Sequence, residues 1–116
     1  MSGGDWKDMF YAAERGDVEV VRYHIRNGID PNYQHPEFLT TALVEAVKNN
    51  HLNVVEYLIA HGADPKIKSV FEGIDAHQAS HIHNDPDMLN YFGLKPKSMT
   101  KSRWQRMKEW YRFWFP

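Results

Sequence analysis

Three of the seven histidines in this 116-residue chain lie close together in the sequence, and together they could bind a metal ion. His77 and His81 are four residues apart, a spacing that places both imidazoles on one face of a helix, and His83 follows two residues later. Imidazole and the neighbouring carboxylates of Asp75 and Asp85 are all zinc ligands. Such residues recur by chance at this spacing, so we predict no metal and no cofactor. If a metal is bound, His77, His81 and His83 are the candidate ligands, and a pH-sensitive contact is their alternative role.

The sequence carries no residue pattern typical of a catalytic site, a phosphate-binding loop or a cysteine-based site. The chain has no cysteine, which excludes thiolate nucleophiles, thiolate zinc sites and disulfides. It has no glycine-rich phosphate loop, because Gly3 and Gly4 lie near the N-terminus and the other glycines stand at predicted helix ends. Asp85 and Asp87 flank a proline where a helix is predicted to begin, and helix capping explains both. We therefore predict a protein that is not an enzyme.

The element that organises the chain is a pair of short helices over residues 41–64. In the first helix, Ala42, Leu43, Ala46 and Val47 share one face. In the second helix, the apolar residues of the segment Val54–Ile59 have the same spacing. A polar turn separates the two, and a glycine able to adopt positive φ follows the second. The pattern predicts a helix-turn-helix hairpin.

This hairpin is one unit of an internal repeat. Ala12 and Ala13 precede Ala46 and Val47 by the same offset at which Gly28-Ile29-Asp30-Pro31 precedes Gly62-Ala63-Asp64-Pro65. The third unit is predicted to begin near Gly73, with Ala76, Ala79 and Ile82 in a short helix. The offset is about 34 residues, and such a period with two helices in each unit is typical of stacked repeats.

The sequence resembles the ankyrin repeat family, through Thr41-Ala42-Leu43-Val44-Glu45-Ala46, the apolar pairs of the second helix and His61-Gly62-Ala63-Asp64. The resemblance implies an all-α solenoid with hairpin-like connectors. We expect a flexible segment at 1–4, repeats at about 5–37, 38–70 and 71–94 with the third degenerate, and an added helix at 95–116.

The resemblance also implies a surface for binding another protein, made of the connector tips and the exposed face of the first helix in each unit. We add Tyr33 to the residues of this surface, because interface anchors are often aromatic. The alternative for Phe38 and Phe71 is that they pack beneath their own connectors. The predicted binding residues are Glu14, Arg15, Tyr33, Gln34, Glu37, Phe38, Lys48, Asn49, Lys68, Val70, Phe71 and His81.

The C-terminal segment differs from the repeats in charge. Residues 1–94 have seven Lys and Arg against fourteen Asp and Glu, a net of −7, whereas residues 95–116 have seven against one, a net of +6. The pattern of residues in this segment predicts a basic, aromatic, amphipathic helix. We expect this helix to cap the incomplete third unit. Alternatively, this helix binds in a groove of a partner protein or at a membrane surface. Binding to nucleic acid is not expected, because the acidic repeats would repel phosphate. Its apolar residues are Trp104, Met107, Trp110, Tyr111 and Trp114.

These features predict a protein-binding module that occupies its partner stoichiometrically, as an inhibitor, an immunity factor or an assembly subunit would. The alternative is a peripheral membrane adaptor anchored by the C-terminal helix. The sequence has no apolar run of about 18 residues and no basic-then-apolar N-terminus. We therefore expect a cytoplasmic protein without a membrane span or a secretory signal.

Overall fold

The computed structural model describes residues 5–94, which form three consecutive helix pairs. No extended strand is present in this range, where the only sheet-like pairings are two isolated bridges, so the prediction of an all-α repeat stack is confirmed. The helices are α1 (Asp5–Arg15), α2 (Val18–Arg26), α3 (Ala42–Lys48), α4 (Leu52–Ala60), α5 (Ala76–Ala79) and α6 (Pro86–Tyr91).

The core of the stack runs through its inner helices. Helix α3 contacts both α1 and α5, and the outer helices α2 and α4 contact each other. Because α3 has a neighbour on two sides, six of its seven residues are buried, from Ala42 to Val47. Fully buried alanines allow the inner helices to approach closely, and they are Ala12, Ala13, Ala42, Ala46, Ala76 and Ala79.

Side-chain caps fix where the inner helices begin. The Thr41 hydroxyl accepts a hydrogen bond from the Val44 amide at 3.2 Å, which satisfies a donor at the start of α3. At α5, the Asp75 carboxylate accepts from the Gln78 amide at 2.9 Å, and the Gln78 side chain accepts from the Asp75 amide at 3.0 Å. This reciprocal capping box allows a helix of only four residues to form.

Histidines from one unit bind the end of the inner helix in the preceding unit. The Nε2 atom of His51 donates to the main-chain oxygen of Glu14 at 2.8 Å, and Nε2 of His83 donates to that of Lys48 at 2.6 Å. Glu14 and Lys48 are equivalent positions of successive repeats, so the same contact is made at both junctions. It satisfies carbonyls that an α-helix leaves without an internal partner at its C-terminus.

Two hairpin-like connectors join the three units. Single antiparallel bridges close them, one between Gln34 and Thr41 and the other between Ser69 and Ile74. Each bridge encloses a tight turn that places large side chains at its tip.

The third unit departs from the sequence prediction. Helix α5 ends at Ala79, and Ile82, which we predicted within this helix, lies in the following turn with 54% of its surface exposed. His81 lies in the same turn rather than on a helical face with His77. The Ser80 hydroxyl donates to the His77 carbonyl, and such local bonds compete with helix continuation. The predicted segments 1–4 and 95–116 lie outside the described residues.

Candidate partner-binding groove

An open groove of about 250 Å³ lies between the inner helices and the two connectors. Helices α1 and α3 and both connectors supply its lining, and Glu45, Lys48 and Glu72 are called here the floor of the groove. The groove combines aromatic rings with charged groups. Its lining residues are Lys7, Phe10, Tyr11, Glu14, His35, Phe38, Thr40, Glu45, Lys48, Phe71 and Glu72.

Exposed aromatic rings border the groove. Phe38 and Phe71, one on each connector, are 60% and 72% exposed, and Tyr11 of α1 is 60% exposed. The alternative in which both phenylalanines pack beneath their connectors therefore does not describe this structure. Clustered exposed apolar groups of this size commonly mark an interaction surface.

The floor of the groove is an ion-pair network. The Lys48 ammonium lies 2.6 Å from Glu72 Oε1 and 3.4 Å from Glu45 Oε1, so it links the second unit to the third. The Thr40 hydroxyl donates to the same Glu45 oxygen at 3.2 Å. Partial burial lowers the pKa of Lys48, but the hydrogen bond to Glu72 and the charges of both carboxylates outweigh burial and raise it overall. The Lys48 side chain is therefore a fixed positive charge at neutral pH.

His35 lies at the centre of an aromatic cluster beside the groove. Its ring centroid is 4.9 Å from that of Trp6, 5.5 Å from Phe10 and 4.6 Å from Phe38. Its Nδ1 atom accepts hydrogen bonds from the backbone amides of Glu37 at 3.1 Å and Phe38 at 3.2 Å. His35 thus connects α1 to the connector tip that carries Phe38.

The structure brings four of the predicted binding residues into the groove. Glu14 and Lys48 come from the inner helices, and Phe38 and Phe71 come from the connectors. Their convergence depends on stacking, because they belong to different units. Their role in binding stays a prediction.

The other predicted binding residues lie outside the groove lining. Tyr33 packs against Trp6 at 5.6 Å between ring centroids, Arg15 forms an ion pair with Asp17, and Asn49 caps the C-terminus of α3. His81 is half-buried in the turn after α5. The remaining four are exposed on the connectors, and they are Gln34, Glu37, Lys68 and Val70.

Seven groove residues were not predicted from the sequence. The repeat contained a signal for some of them, because Tyr11 precedes Glu45 by the same offset at which Glu14 precedes Lys48. Tyr11 and Glu45 each lie three residues before a predicted binding residue of their own helix, and therefore on the same helical face. The missed residues are Lys7, Phe10, Tyr11, His35, Thr40, Glu45 and Glu72.

The three histidines considered as metal ligands have other neighbours. The His77 ring packs on Phe92 at 5.0 Å between centroids, and His83 binds the Lys48 carbonyl. Among residues 5–94, no group of three or more His, Cys, Asp or Glu side chains is arranged to hold a metal ion. The structure therefore does not bring His77, His81 and His83 together as a ligand set.

The carboxylate of Asp85 has a structural role. It accepts hydrogen bonds from the side chain of Asn50 at 2.8 Å and from the Asp87 amide at 2.9 Å, which caps α6 and ties it to the second unit. These bonds lower the pKa of Asp85, the Asn50 bond most. The capping role expected from the sequence accounts for this aspartate.

The predicted residues of the C-terminal helix, from Trp104 to Trp114, lie outside the described residues. Within residues 5–94, every helix is too short or too polar to cross a membrane.

Comparison with known proteins identifies the repeats. Residues 9–65 match the family model for ankyrin repeats. The chain is 38% identical over 61 residues to an ankyrin repeat and KH domain-containing protein of Caenorhabditis briggsae, and 41% identical over 56 residues to human ankyrin repeat domain-containing protein 40. It is 36% identical over 63 residues to bovine cyclin-dependent kinase 4 inhibitor B.

The similarity covers about half of this chain and a smaller part of each relative. The matched segments are 53%, 48% and 54% of this chain, and they are 2%, 15% and 47% of the three relatives in the same order. This chain therefore spans less than half the length of each of these proteins. Ankyrin repeats generally mediate binding between proteins and are not themselves enzymatic.

Proposed function

Because this chain is an ankyrin-repeat protein, we propose that it binds a partner protein through the groove between its inner helices and its connectors. The observation that carries the proposal is the pair of exposed phenylalanines, Phe38 and Phe71, on neighbouring connectors at one groove. Burying a phenylalanine against a partner contributes about 1.5–3 kcal/mol. Two such anchors can therefore supply a large part of a specific affinity.

The charged floor gives this surface its specificity. The Lys48 ammonium is held between Glu45 and Glu72, so the groove presents fixed charges below its aromatic rings. A partner must bring an apolar group for the rings and polar groups that match the floor, since unpaired charges buried in an interface are penalised. This arrangement supports a defined partner rather than general adhesion.

The proposed mode of action is stoichiometric occupation of the partner's surface, as an inhibitor, an immunity factor or an assembly subunit. The chain carries out no chemistry in this proposal. One relative of similar sequence is by its name an inhibitor, and it matches this chain over 47% of its own length. That likeness supports the inhibitor mode without identifying the partner here.

The test is affinity capture with matched variants. The double variant Phe38→Ala, Phe71→Ala removes both anchors, and Tyr23→Ala removes a ring that is 62% exposed on α2. We expect the wild type and Tyr23→Ala to capture the same partner, and the double variant to bind it at least about 100-fold more weakly, as expected for the loss of two hot-spot residues. Equal loss in both variants, or no loss in either, would refute the groove as the binding surface.

A further inference from the structure

The tip of the first connector is held by a histidine side chain. Residues 35–39 form a closed turn, here called the His35 turn, in which the Leu39 amide donates to the His35 carbonyl at 2.8 Å and Leu39 has a φ of 49°. Within it, Nδ1 of His35 accepts from the amides of Glu37 and Phe38. This nitrogen must carry a lone pair and no proton, because both of its partners are N–H donors.

The second connector provides an internal comparison, because it forms the same backbone turn at the equivalent positions of the next repeat. The Gly73 amide donates to the Ser69 carbonyl at 2.7 Å, and Gly73 has a φ of 68°. Ser69 occupies the position of His35, but its buried hydroxyl has no hydrogen-bond partner in the part of the chain described. The two turns therefore share the backbone hydrogen bond, but only the first has a side chain at this position bonded to the amides of its tip.

We propose that protonation of His35 releases the tip that carries Phe38, so that the groove is assembled at neutral pH and loosened in acid. The inference rests on the proposed function for its consequence, since Phe38 is one of the two proposed anchors. A proton on Nδ1 replaces the acceptor with a third donor facing two N–H groups, and both hydrogen bonds are lost.

Four other histidines make bonds that protonation leaves intact. The bonded nitrogens of His51, His61 and His83 face main-chain carbonyl oxygens, and that of His24 faces a carboxylate oxygen of Asp8. These oxygens only accept, so the nitrogens already donate. Acidification therefore acts on the His35 turn and spares these contacts.

The charged groups around His35 have a negative excess, with two lysines against four carboxylates. Lys7 and Glu14 of α1 line the same groove with opposite signs, as do Lys48 and Glu45 of α3 and Glu72 of the second connector. Lys48 is paired with both of its carboxylates. The other titratable groups nearby are the phenol of Tyr11, the phenol of Tyr33 and the exposed carboxylate of Glu37. Among the described residues no carboxylate bonds the imidazole, so the loss of the two amide bonds decides the outcome.

The experiment is amide hydrogen exchange of the ¹⁵N-labelled full chain, read by NMR at about pH 7.5 and about pH 5, a range over which imidazoles ordinarily change protonation. We expect the protection factors of the Glu37 and Phe38 amides to fall by at least about tenfold on acidification, in step with protonation seen in the His35 ring resonances. The equivalent amides of Phe71 and Glu72, and the core amide of Leu58, should keep their protection factors.

The matched variant is His35→Ser, which copies the second connector. Its Glu37 and Phe38 amides should have low protection at both pH values, so the pH dependence disappears. The proposal is overturned if the wild-type protection factors do not change, if His35 stays neutral at the lower pH, if His35→Ser keeps the pH dependence, or if Leu58 loses protection in parallel. None of these readouts needs a partner, so the proposed function can fail while this inference stands.

Discussion

The imidazole of His51 lies against Gly16, and its Nδ1 atom is 2.6 Å from the position that a Cβ on Gly16 would occupy. The same imidazole donates through Nε2 to the Glu14 carbonyl. One side chain therefore closes the end of α1 and fills the space left by a glycine, which itself has a φ of 83°. The junction between the first two units depends on this fit.

This junction gives a prediction about coupled variants. His51→Ala removes the hydrogen bond and should lower the free energy of unfolding by about 1–2 kcal/mol. Gly16→Ala should also destabilise, by more than about 1 kcal/mol, because of the contact with His51 and the strained φ. In the His51→Ala background the contact is gone, so Gly16→Ala should cost less. Urea unfolding of the four proteins measures this coupling, and equal penalties in both backgrounds would contradict it.

The short α5 gives a second prediction. Ile82 is 54% exposed in the turn after α5, whereas Leu89 of α6 is fully buried. Ile82→Ala should change the free energy of unfolding by less than about 0.5 kcal/mol, as exposed positions usually do. Leu89→Ala should lower it by about 2–5 kcal/mol, because it leaves a cavity. A large loss from Ile82→Ala would mean that the first helix of the third unit extends further than Ala79.

The outcome for these residues shows what the sequence could and could not predict. Periodicity identified the buried faces of α3 and α4, because both helices lie between neighbours and must be apolar where they touch. Ile82 was assigned wrongly because the last unit has a neighbour on one side among the described residues, so the repeat pattern no longer constrains it. Lys7 and His35 were missed because the neighbours that make them groove residues belong to other elements.

The cap of α6 gives a prediction about pH. Bonds from Asn50 and the Asp87 amide lower the pKa of Asp85 in the folded state. A lowered folded-state pKa stabilises the protein above the unfolded pKa, about 3.9 for aspartate, and this contribution is lost as pH falls through the lower folded value. Asp85→Asn can still cap the helix but does not titrate, so its stability should fall less steeply than that of the wild type below about pH 4. Chemical denaturation at several pH values measures both slopes, and identical slopes would exclude this role for Asp85.

In the proposed function the groove, and not the outer helices, contacts the partner. Hydrogen exchange by mass spectrometry, with and without the captured partner, distinguishes the two surfaces, because every segment of residues 5–94 is followed in one experiment. We predict that exchange slows in α1 and in the two connectors that carry Phe38 and Phe71, and stays unchanged in α2 and α4. Slowed exchange confined to α2 and α4, with the connectors unaffected, would contradict the claim.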